Sequence, residues 1–207
     1  MKRKLLVHLA VALCLAGVAN AQETTIGVYM DAAGTTCSGA TTGGVLQGSI
    51  WANLAGQGAA GITTAEFRVD VDAINRTNLN LQFVPDPSLA IVIGNPFDMI
   101  GVSMAWSACT TGTNSRILLG TFTVLETSPV VNAEFTLRKK YTPANPILDC
   151  AMVTLCDAPV YTAICVAPAD SDHWRAVLNS DGGVTADCTP VAVTASTWTQ
   201  VKEIFRN

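Results

Sequence analysis

Hydrophobic and polar residues alternate along most of the chain, and this period of two is typical of β-strands. The clearest example is residues 61–72, GITTAEFRVDVD. One face of this strand carries apolar residues, which we predict to face a core: Ile62, Ala65, Phe67, Val69 and Val71. The other face carries charged residues, which we predict to face water: Glu66, Arg68, Asp70 and Asp72.

Similar runs recur at short intervals and are separated by turn signals such as GQG, PDP and GNP. Strands are predicted at residues 24–31, 44–56, 79–85, 89–94, 99–106, 116–126 and 130–139, with further strands at 159–166, 173–179 and 184–194. Short strands at nearly regular spacing, without a long helical period, predict an all-β protein built as an antiparallel β-sandwich.

The last residues differ from this pattern. The run STWTQVKEIFRN has apolar residues at helical spacing, and Thr197 and Gln200 have the spacing of a capping box. We predict a short amphipathic helix over 197–205. It either covers an open end of the sandwich, which is the interpretation that we favour, or serves as a sorting or docking tail.

The first 21 residues have the three parts of a secretory signal peptide. Basic residues at positions 2–4 precede an apolar stretch at 5–18, and Ala19-Asn20-Ala21 forms an A-x-A cleavage site. The apolar stretch is short for a membrane span, which needs about 20 residues. We therefore expect a secreted, periplasmic or cell-surface protein with no membrane span after cleavage.

The mature chain would begin at Gln22, and we expect it to comprise a β-sandwich at 22–139 and a disulfide-rich segment at 140–207 that packs on it. The signal peptide carries three of the 12 basic residues, so the net charge of −4 becomes −7. An acidic chain with one small basic cluster, Arg138-Lys139-Lys140, is a poor binder of nucleic acid. We interpret that cluster as a solvated strand end.

Six cysteines remain after the signal peptide: Cys37, Cys109, Cys150, Cys156, Cys165 and Cys188. Cysteines of exported proteins are normally oxidised, and zinc sites need closer cysteine pairs than these. We therefore predict disulfides. Six cysteines allow 15 pairings; the pairing that we favour is Cys37–Cys109, Cys150–Cys156 and Cys165–Cys188.

The runs GSIWANLAG, GITTAEFRVD and RILLGTFTVLE resemble the strand order of cohesin-like and carbohydrate-binding β-sandwich domains, over residues 24–138. The resemblance implies a cohesin- or immunoglobulin-like sandwich that binds a partner domain or a glycan, and it carries over no site residue. The whole chain also resembles exported bacterial β-sandwich proteins of unknown activity, through GVYMDAAGTTCS, VTLCDAPV and the terminal helix. That second resemblance implies no activity.

The residues do not predict an enzyme or a cofactor. His173 is the one histidine outside the signal peptide, no G-x-S-x-G motif is present, and oxidised cysteines offer no thiolate. The best metal candidate is a calcium loop, for which the ligands would be Asp170, Asp172, Asn179 and Asp181. A hairpin turn at SDGG explains part of the same pattern.

Sugar binding would use exposed aromatic rings, and the candidates are Trp51, which falls on the polar face of its strand, and Trp174, with Trp106 a further candidate. We expect a structural or interaction module that binds a protein or glycan partner at the cell surface. The alternatives are a carbohydrate-binding module and a hydrolase whose site we do not recognise.

Overall fold

The computed structural model describes residues 24–143, 150–156, 162–168 and 175–187, and in these residues the chain is mostly β-strand. The strands are β1 Thr25–Tyr29, β2 Ser38–Gly39, β3 Val45–Asn53, β4 Ile62–Val71, β5 Leu79–Pro85, β6 Ile91–Asn95, β7 Gly101–Thr110, β8 Arg116–Glu126, β9 Ala133–Arg138, β10 Cys150–Leu155, β11 Ala163–Pro168 and β12 Arg175–Leu178. Two short helical turns join them: a 3-10 turn, Gly56–Ala60, and α1, Ala73–Arg76. No helix in the described residues is long and apolar enough to cross a membrane.

The strands form two sheets. The smaller sheet has the order β1-β3-β8-β5, and all its pairs are antiparallel. The larger sheet has the order β11-β10-β4-β9-β12-β2, with β7 paired to β4 and β6 paired to β7. Its pairs are antiparallel except for β12 and β2, which are parallel. The all-β, antiparallel sandwich predicted from the sequence is therefore confirmed.

The core lies between the two sheets and is built from the apolar positions of the alternating strands. Phe67, Phe122 and Phe135 are its largest fully buried side chains, and they come from β4, β8 and β9. Phe97 packs edge-on against two of these rings, at centroid distances of 5.2 Å to Phe122 and 6.3 Å to Phe135. Burying each such side chain contributes about 1.5–3 kcal/mol to folding.

Strand β10 is the element that the alternation does not predict. It lies between β4 and β11 in the larger sheet, and five of its six residues are buried, so both of its faces are covered. A strand covered on both faces has no polar face, so its sequence, CAMVTL, shows no period of two. Because β10 pairs with β4, the chain after residue 140 contributes strands to the larger sheet; the division into a sandwich and a separate segment at that residue stays a prediction.

The five described cysteines are oxidised, but the favoured pairing is wrong. Cys109 is bonded to Cys156, and Cys150 to Cys165. Cys37 is also disulfide-bonded, and Cys188 lies outside the described residues. The physical reason is strand pairing: β10 and β11 are neighbours in antiparallel register, which brings Cys150 and Cys165 within 5.6 Å between Cα atoms.

The predicted C-terminal helix, residues 197–205, lies outside the described residues. The four-residue helix α1 has a side-chain N-cap, since the Asp72 carboxylate accepts a hydrogen bond from the Asn75 backbone N–H at 3.0 Å. The same carboxylate accepts from the Glu134 N–H at 2.9 Å, which joins the turn after β4 to β9. Asp72, predicted to face water, thus holds two elements together.

Candidate interaction surface

A group of large apolar side chains lies exposed at strand β6 and the hairpin that follows it. We call this group the β6 patch, and it consists of Ile91, Ile93, Met99, Ile100 and Tyr141. Met99 is 86% exposed and Ile93 is 64% exposed. Among the described residues β6 pairs with β7 alone, so the patch lies at an edge of the larger sheet.

The alternation of β6 explains why its isoleucines face outward. Val92 packs against the core, so Ile91 and Ile93 on either side of it point to the outer face of the sheet. The hairpin after β6 is anchored from inside by Phe97, which is buried against the core rings. The carbonyl of Pro96 also accepts a hydrogen bond from the Val69 N–H, at 2.7 Å. The hairpin is thus held in place while Met99 remains outside.

Two polar contacts attach the rest of the patch to the sheet. The Tyr141 N–H donates to the Ile100 carbonyl at 3.0 Å, which lays the segment after β9 against the hairpin. The Arg68 guanidinium donates to the Met99 carbonyl at 3.1 Å and to the Asp70 carboxylate at 2.8 Å. The backbone that carries these exposed apolar side chains is therefore held in place by hydrogen bonds.

A buried polar cluster borders the patch on the same face of the sheet. Ser103, which lies opposite Ile93 in the β6–β7 pair, donates its hydroxyl proton to Glu66 at 2.7 Å. The Lys140 ammonium donates to the Ser103 hydroxyl oxygen at 2.6 Å and lies 4.0 Å from the Glu66 carboxylate. The three side chains form one chain of charge-assisted hydrogen bonds.

This cluster corrects two expectations from the sequence. Glu66, predicted to face water, is only 7% exposed, and Lys140, predicted to be a solvated strand end, has a side chain that is only 14% exposed. The reason is that Lys140 lies over the outer face of β4 and β7 and covers the carboxylate. A buried charge is tolerated when it is paired and hydrogen-bonded, and here each charge has the other nearby.

Trp51, the sequence candidate for sugar binding, lies on the outer face of the smaller sheet, where other side chains pack around it. The Arg116 guanidinium lies 4.6 Å from the Trp51 ring centroid and 5.2 Å from that of Tyr29. Trp51 donates its indole N–H to the Ser49 hydroxyl at 2.9 Å. Arg116 in turn donates to the Asn53 side chain at 2.9 Å and to the Gly34 carbonyl at 2.7 Å.

Gly34 packs against the edge of the Trp51 ring. Its φ of 69° lies in the left-handed region, and a Cβ there would lie 2.3 Å from the Trp51 indole nitrogen. Only glycine fits both requirements. The ring is half-buried, with a cation over one face, so it offers a sugar less surface than an exposed ring would. A glycan-binding role for Trp51 stays a prediction, and Trp174 lies outside the described residues.

The loop between β1 and β2 is fixed by Asp31. Its carboxylate accepts hydrogen bonds from the backbone N–H groups of Thr35 and Thr36, at 2.8 and 2.9 Å, and from the Thr35 hydroxyl at 2.7 Å. Partial burial raises the pKa of the Asp31 carboxyl, but these hydrogen bonds, led by that from Thr36, outweigh it and hold the pKa below its ordinary value of 3.8. The ionised form therefore stabilises the loop that carries Gly34.

Two of the four predicted calcium ligands, Asp170 and Asp172, lie outside the described residues. Asn179 accepts from the Thr41 N–H at 2.9 Å and donates to the Val130 carbonyl at 3.2 Å and to the Glu126 carboxylate.

Asp181 accepts from Asn132 at 2.8 Å and from the Gly183 N–H at 2.8 Å, and these two bonds lower the pKa of its carboxyl. Within the described residues no group of three or more His, Cys, Asp or Glu side chains could hold a metal ion. The calcium site stays a prediction.

No protein-family model matches the chain, and no curated protein matches it. Solved structures of similar layout are cohesin modules, the kind of sandwich that the sequence resembles. The seventh type I cohesin of ScaB from Pseudobacteroides cellulosolvens is 14% identical, covers 81% of this chain and 96% of its own, and has a TM-score of 0.47.

Two further cohesins are similar at the same level. The cohesin module of a family 33 glycoside hydrolase from Clostridium perfringens is 12% identical, with a TM-score of 0.43 over 78% of this chain and 98% of its own. The third cohesin of ScaC from Acetivibrio cellulolyticus, solved in complex with the ScaB dockerin, is 12% identical, with a TM-score of 0.42 over 75% of this chain and 99% of its own. With TM-scores below 0.5, these likenesses carry no argument about the partner of this chain.

Proposed function

We propose that this protein is an exported, non-catalytic interaction module that binds another protein through the β6 patch. The observation that carries the proposal is that five of the ten exposed large apolar side chains among the described residues lie at one edge of the larger sheet. Soluble proteins rarely leave such groups of apolar residues uncovered unless they mark a site of interaction.

The chemistry of the patch favours a protein partner over a glycan. Four of its five side chains are aliphatic or thioether groups, and Tyr141 is its one aromatic ring. Sugars stack on flat aromatic rings, whereas aliphatic side chains and methionine pack against the apolar side chains of another protein. The partner that fits is therefore a protein segment with its own apolar face.

The polar groups beside the patch fit the rim of such an interface. Arg68 is bonded to Asp70 and to the hairpin backbone, and Lys140 is bonded to Ser103. These side chains are already held by neighbours, so binding would cost little of their rotamer freedom. An apolar centre with a polar rim is the usual composition of a protein interface.

Export is supported by two observations. The first 21 residues have the pattern of a cleavable signal peptide, and the described cysteines are disulfide-bonded, as is normal in oxidising compartments. A secreted or surface location also suits a protein whose role is to hold a partner.

The test compares partner capture by three forms of the tagged full-length protein on extracts of its own cell surface. Ile93→Asp places a charge in the β6 patch, and Val84→Asp places the same charge at a residue of similar exposure, 61%, on the smaller sheet. We expect a partner that the wild type and Val84→Asp retain and that Ile93→Asp loses at least tenfold. Circular dichroism confirms that both variants are folded.

Two outcomes would contradict the proposal. If Ile93→Asp and Val84→Asp retain the same proteins equally, the patch is not the binding surface. If sedimentation shows that the wild type self-associates and Ile93→Asp does not, the patch joins two copies of this chain, and the proposed partner protein is wrong.

A further inference from the structure

A second feature of the larger sheet lies at the other end of β7, away from the hairpin. Ile62 of β4 pairs with Thr110, and Thr64 pairs with Ala105. Thr63 alone therefore lies opposite residues 106–109, and β7 bulges outward there. The sequence pattern gives no sign of this bulge.

The Cys109–Cys156 disulfide holds the bulge. It joins the end of the bulge to the residue after β10, and thus spans β4, which lies between β7 and β10. Gly61 lies beneath it with a φ of 113°, and a Cβ there would lie 2.8 Å from the Cys109 sulfur and 3.2 Å from the Cys156 sulfur. Only glycine leaves room for the bridge.

The bulge and the disulfide line an open pocket of about 480 Å³. The described residues that line it are Thr63, Thr64, Trp106, Ser107, Ala108, Cys109, Thr154 and Cys156, and none of these eight is charged. The volume lies in the range of small-molecule sites, about 300–1,000 Å³. It corresponds to about 16 water molecules at about 30 Å³ each, which is enough for a monosaccharide ring.

The hydroxyl groups of the pocket retain hydrogen-bonding capacity. Thr64 donates to the Thr154 hydroxyl oxygen at 2.7 Å. These two hydroxyls carry two protons and only one is used between them, so in the described part of the chain one proton remains for a ligand. Thr63 donates its hydroxyl proton to the Thr154 carbonyl at 3.4 Å, and Ser107, on the exposed bulge, adds a fourth hydroxyl at the rim.

The apolar part of the lining complements these hydroxyls. Trp106 is only 9% exposed and its indole N–H is directed to the Ser88 hydroxyl at 3.3 Å, so it contributes only a small part of its ring to the pocket. The disulfide sulfurs and Ala108 are apolar as well. The described lining suits a ligand with an apolar face and hydroxyl groups, and it offers no counter-charge to a charged ligand.

We infer that this pocket binds a neutral sugar unit, with its apolar face toward the disulfide and Ala108 and its hydroxyls toward Thr64, Thr154 and Ser107. The site is separate from the β6 patch: the two share no residue, although Ala105, which pairs with both Thr64 and Ile91, lies between them. The chain would then hold a protein partner and a glycan on one face of one sheet.

The test is an NMR titration of the oxidised full-length protein with three methyl glycosides, those of glucose, xylose and N-acetylglucosamine. We expect at least one to give saturable shifts in the amides of Thr63, Ser107 and Thr154, with a Kd of about 1 mM. Thr154→Val keeps the shape and removes a hydroxyl, and should weaken binding about three- to tenfold. Thr123→Val, on the outer face of the smaller sheet, is the matched control and should leave the Kd unchanged.

Ser107→Ala, at an exposed position, is a second variant in case Thr154→Val does not fold, and should also weaken binding. Retention on insoluble xylan or cellulose distinguishes a polymer from a free sugar as the natural source of the sugar unit.

The inference is wrong if none of the glycosides shifts these amides at concentrations far above 1 mM, or if the shifts map to Trp51 instead. It is also wrong if Thr154→Val and Thr123→Val bind equally. Loss of protein partner capture in Ile93→Asp with unchanged glycoside binding would show that the two sites are independent.

Discussion

Trp51 on the smaller sheet and the β6 patch on the larger sheet differ in how far neighbouring side chains cover them. On the smaller sheet, Trp51 is covered by Arg116 and Gly34, and its one polar atom is hydrogen-bonded to Ser49. On the larger sheet, Ile93 and Met99 project into solvent with no such cover among the described residues. Both surfaces are ordered strand backbone, so the difference lies in the neighbouring side chains.

The comparison shows what distinguishes the proposed interaction surface from the rest of the sandwich. A tryptophan on a polar strand face suggests a binding site, but here neighbouring side chains already cover the ring. An isoleucine in a β-branched run suggests a core, but here it lies outside. Cover by neighbours, which residue type alone does not reveal, separates a side chain that stabilises the fold from one that is available to a partner.

The largest expected effect on the free energy of unfolding is at Trp51, the covered side chain. Trp51→Ala should lower the free energy of unfolding by about 2–4 kcal/mol, because it removes packing and the cation–π contact with Arg116. Trp51→Phe, which keeps a ring over Arg116 and loses the hydrogen bond to Ser49, should cost about 1 kcal/mol. Urea unfolding measures both. If Trp51→Ala costs less than Trp51→Phe, the ring is not a packed element and the comparison fails.

A smaller effect is expected at the border of the β6 patch. Glu66→Gln removes the negative charge beside buried Lys140 and should cost about 1–3 kcal/mol. Glu134→Gln is the matched control on the same sheet, since Glu134 pairs with Arg175 at 3.4 Å with both side chains 32% exposed. That exposed pair should contribute less than about 1 kcal/mol. Equal losses in the two variants would contradict the buried role of Glu66.

The loop that carries Gly34 should contribute less to the stability of the fold in acid. The pKa of Asp31 is lower folded than unfolded, so its stabilising contribution is complete above pH 3.8 and is lost as the pH falls through the folded value. Asp31→Asn should remove that contribution, which is less than about 1 kcal/mol after solvent screening. Unfolding free energies measured from pH 6 to about 2 should show a shallower acid loss in the variant. A parallel loss in both proteins would show that Asp31 does not act this way.

The smallest effect on stability is expected in the patch itself. Ile93→Ser should change the free energy of unfolding by no more than about 0.5 kcal/mol, because the side chain is 64% exposed. The same variant should reduce aggregation at high concentration, since an apolar edge strand pairs readily with another chain. A loss above about 1 kcal/mol would mean that Ile93 is part of the core and that the two faces do not differ.

The sequence predicts most strands because their faces differ in polarity. Strand β8 is predicted at its observed bounds, Arg116–Glu126, and the core face of β4 is predicted down to Phe67 and Val69. The alternation predicts burial wrongly where a side chain is covered by a residue far away in the sequence. Glu66 is buried by Lys140, 74 positions later, and no local rule contains that contact.

The β6 patch and the pocket beside the Cys109–Cys156 disulfide could not be predicted from the sequence either, because both depend on how distant strands pair. The run LAIVIG predicts a strand but not that it lies at a sheet edge, which depends on the order of the strands in the sheet. The pairing of Cys109 with Cys156 depends on the bulge in β7 and on strand β10, neither of which shows in the alternation. A β-branched run without polar alternation was the one signal that pointed to β6.

Strand β4 has a consequence for how the chain acquires its structure. Ala65 pairs with Val153, 88 positions later, and with Met104, 39 positions later. At a synthesis rate of about 5–20 residues per second, β4 is complete roughly 4–18 s before β10 exists. During that interval the middle of the larger sheet has one open edge, and Cys109 has no Cys156 to join. Such long-range pairing slows folding, so the export that we propose would act on a nascent chain that is still incompletely folded.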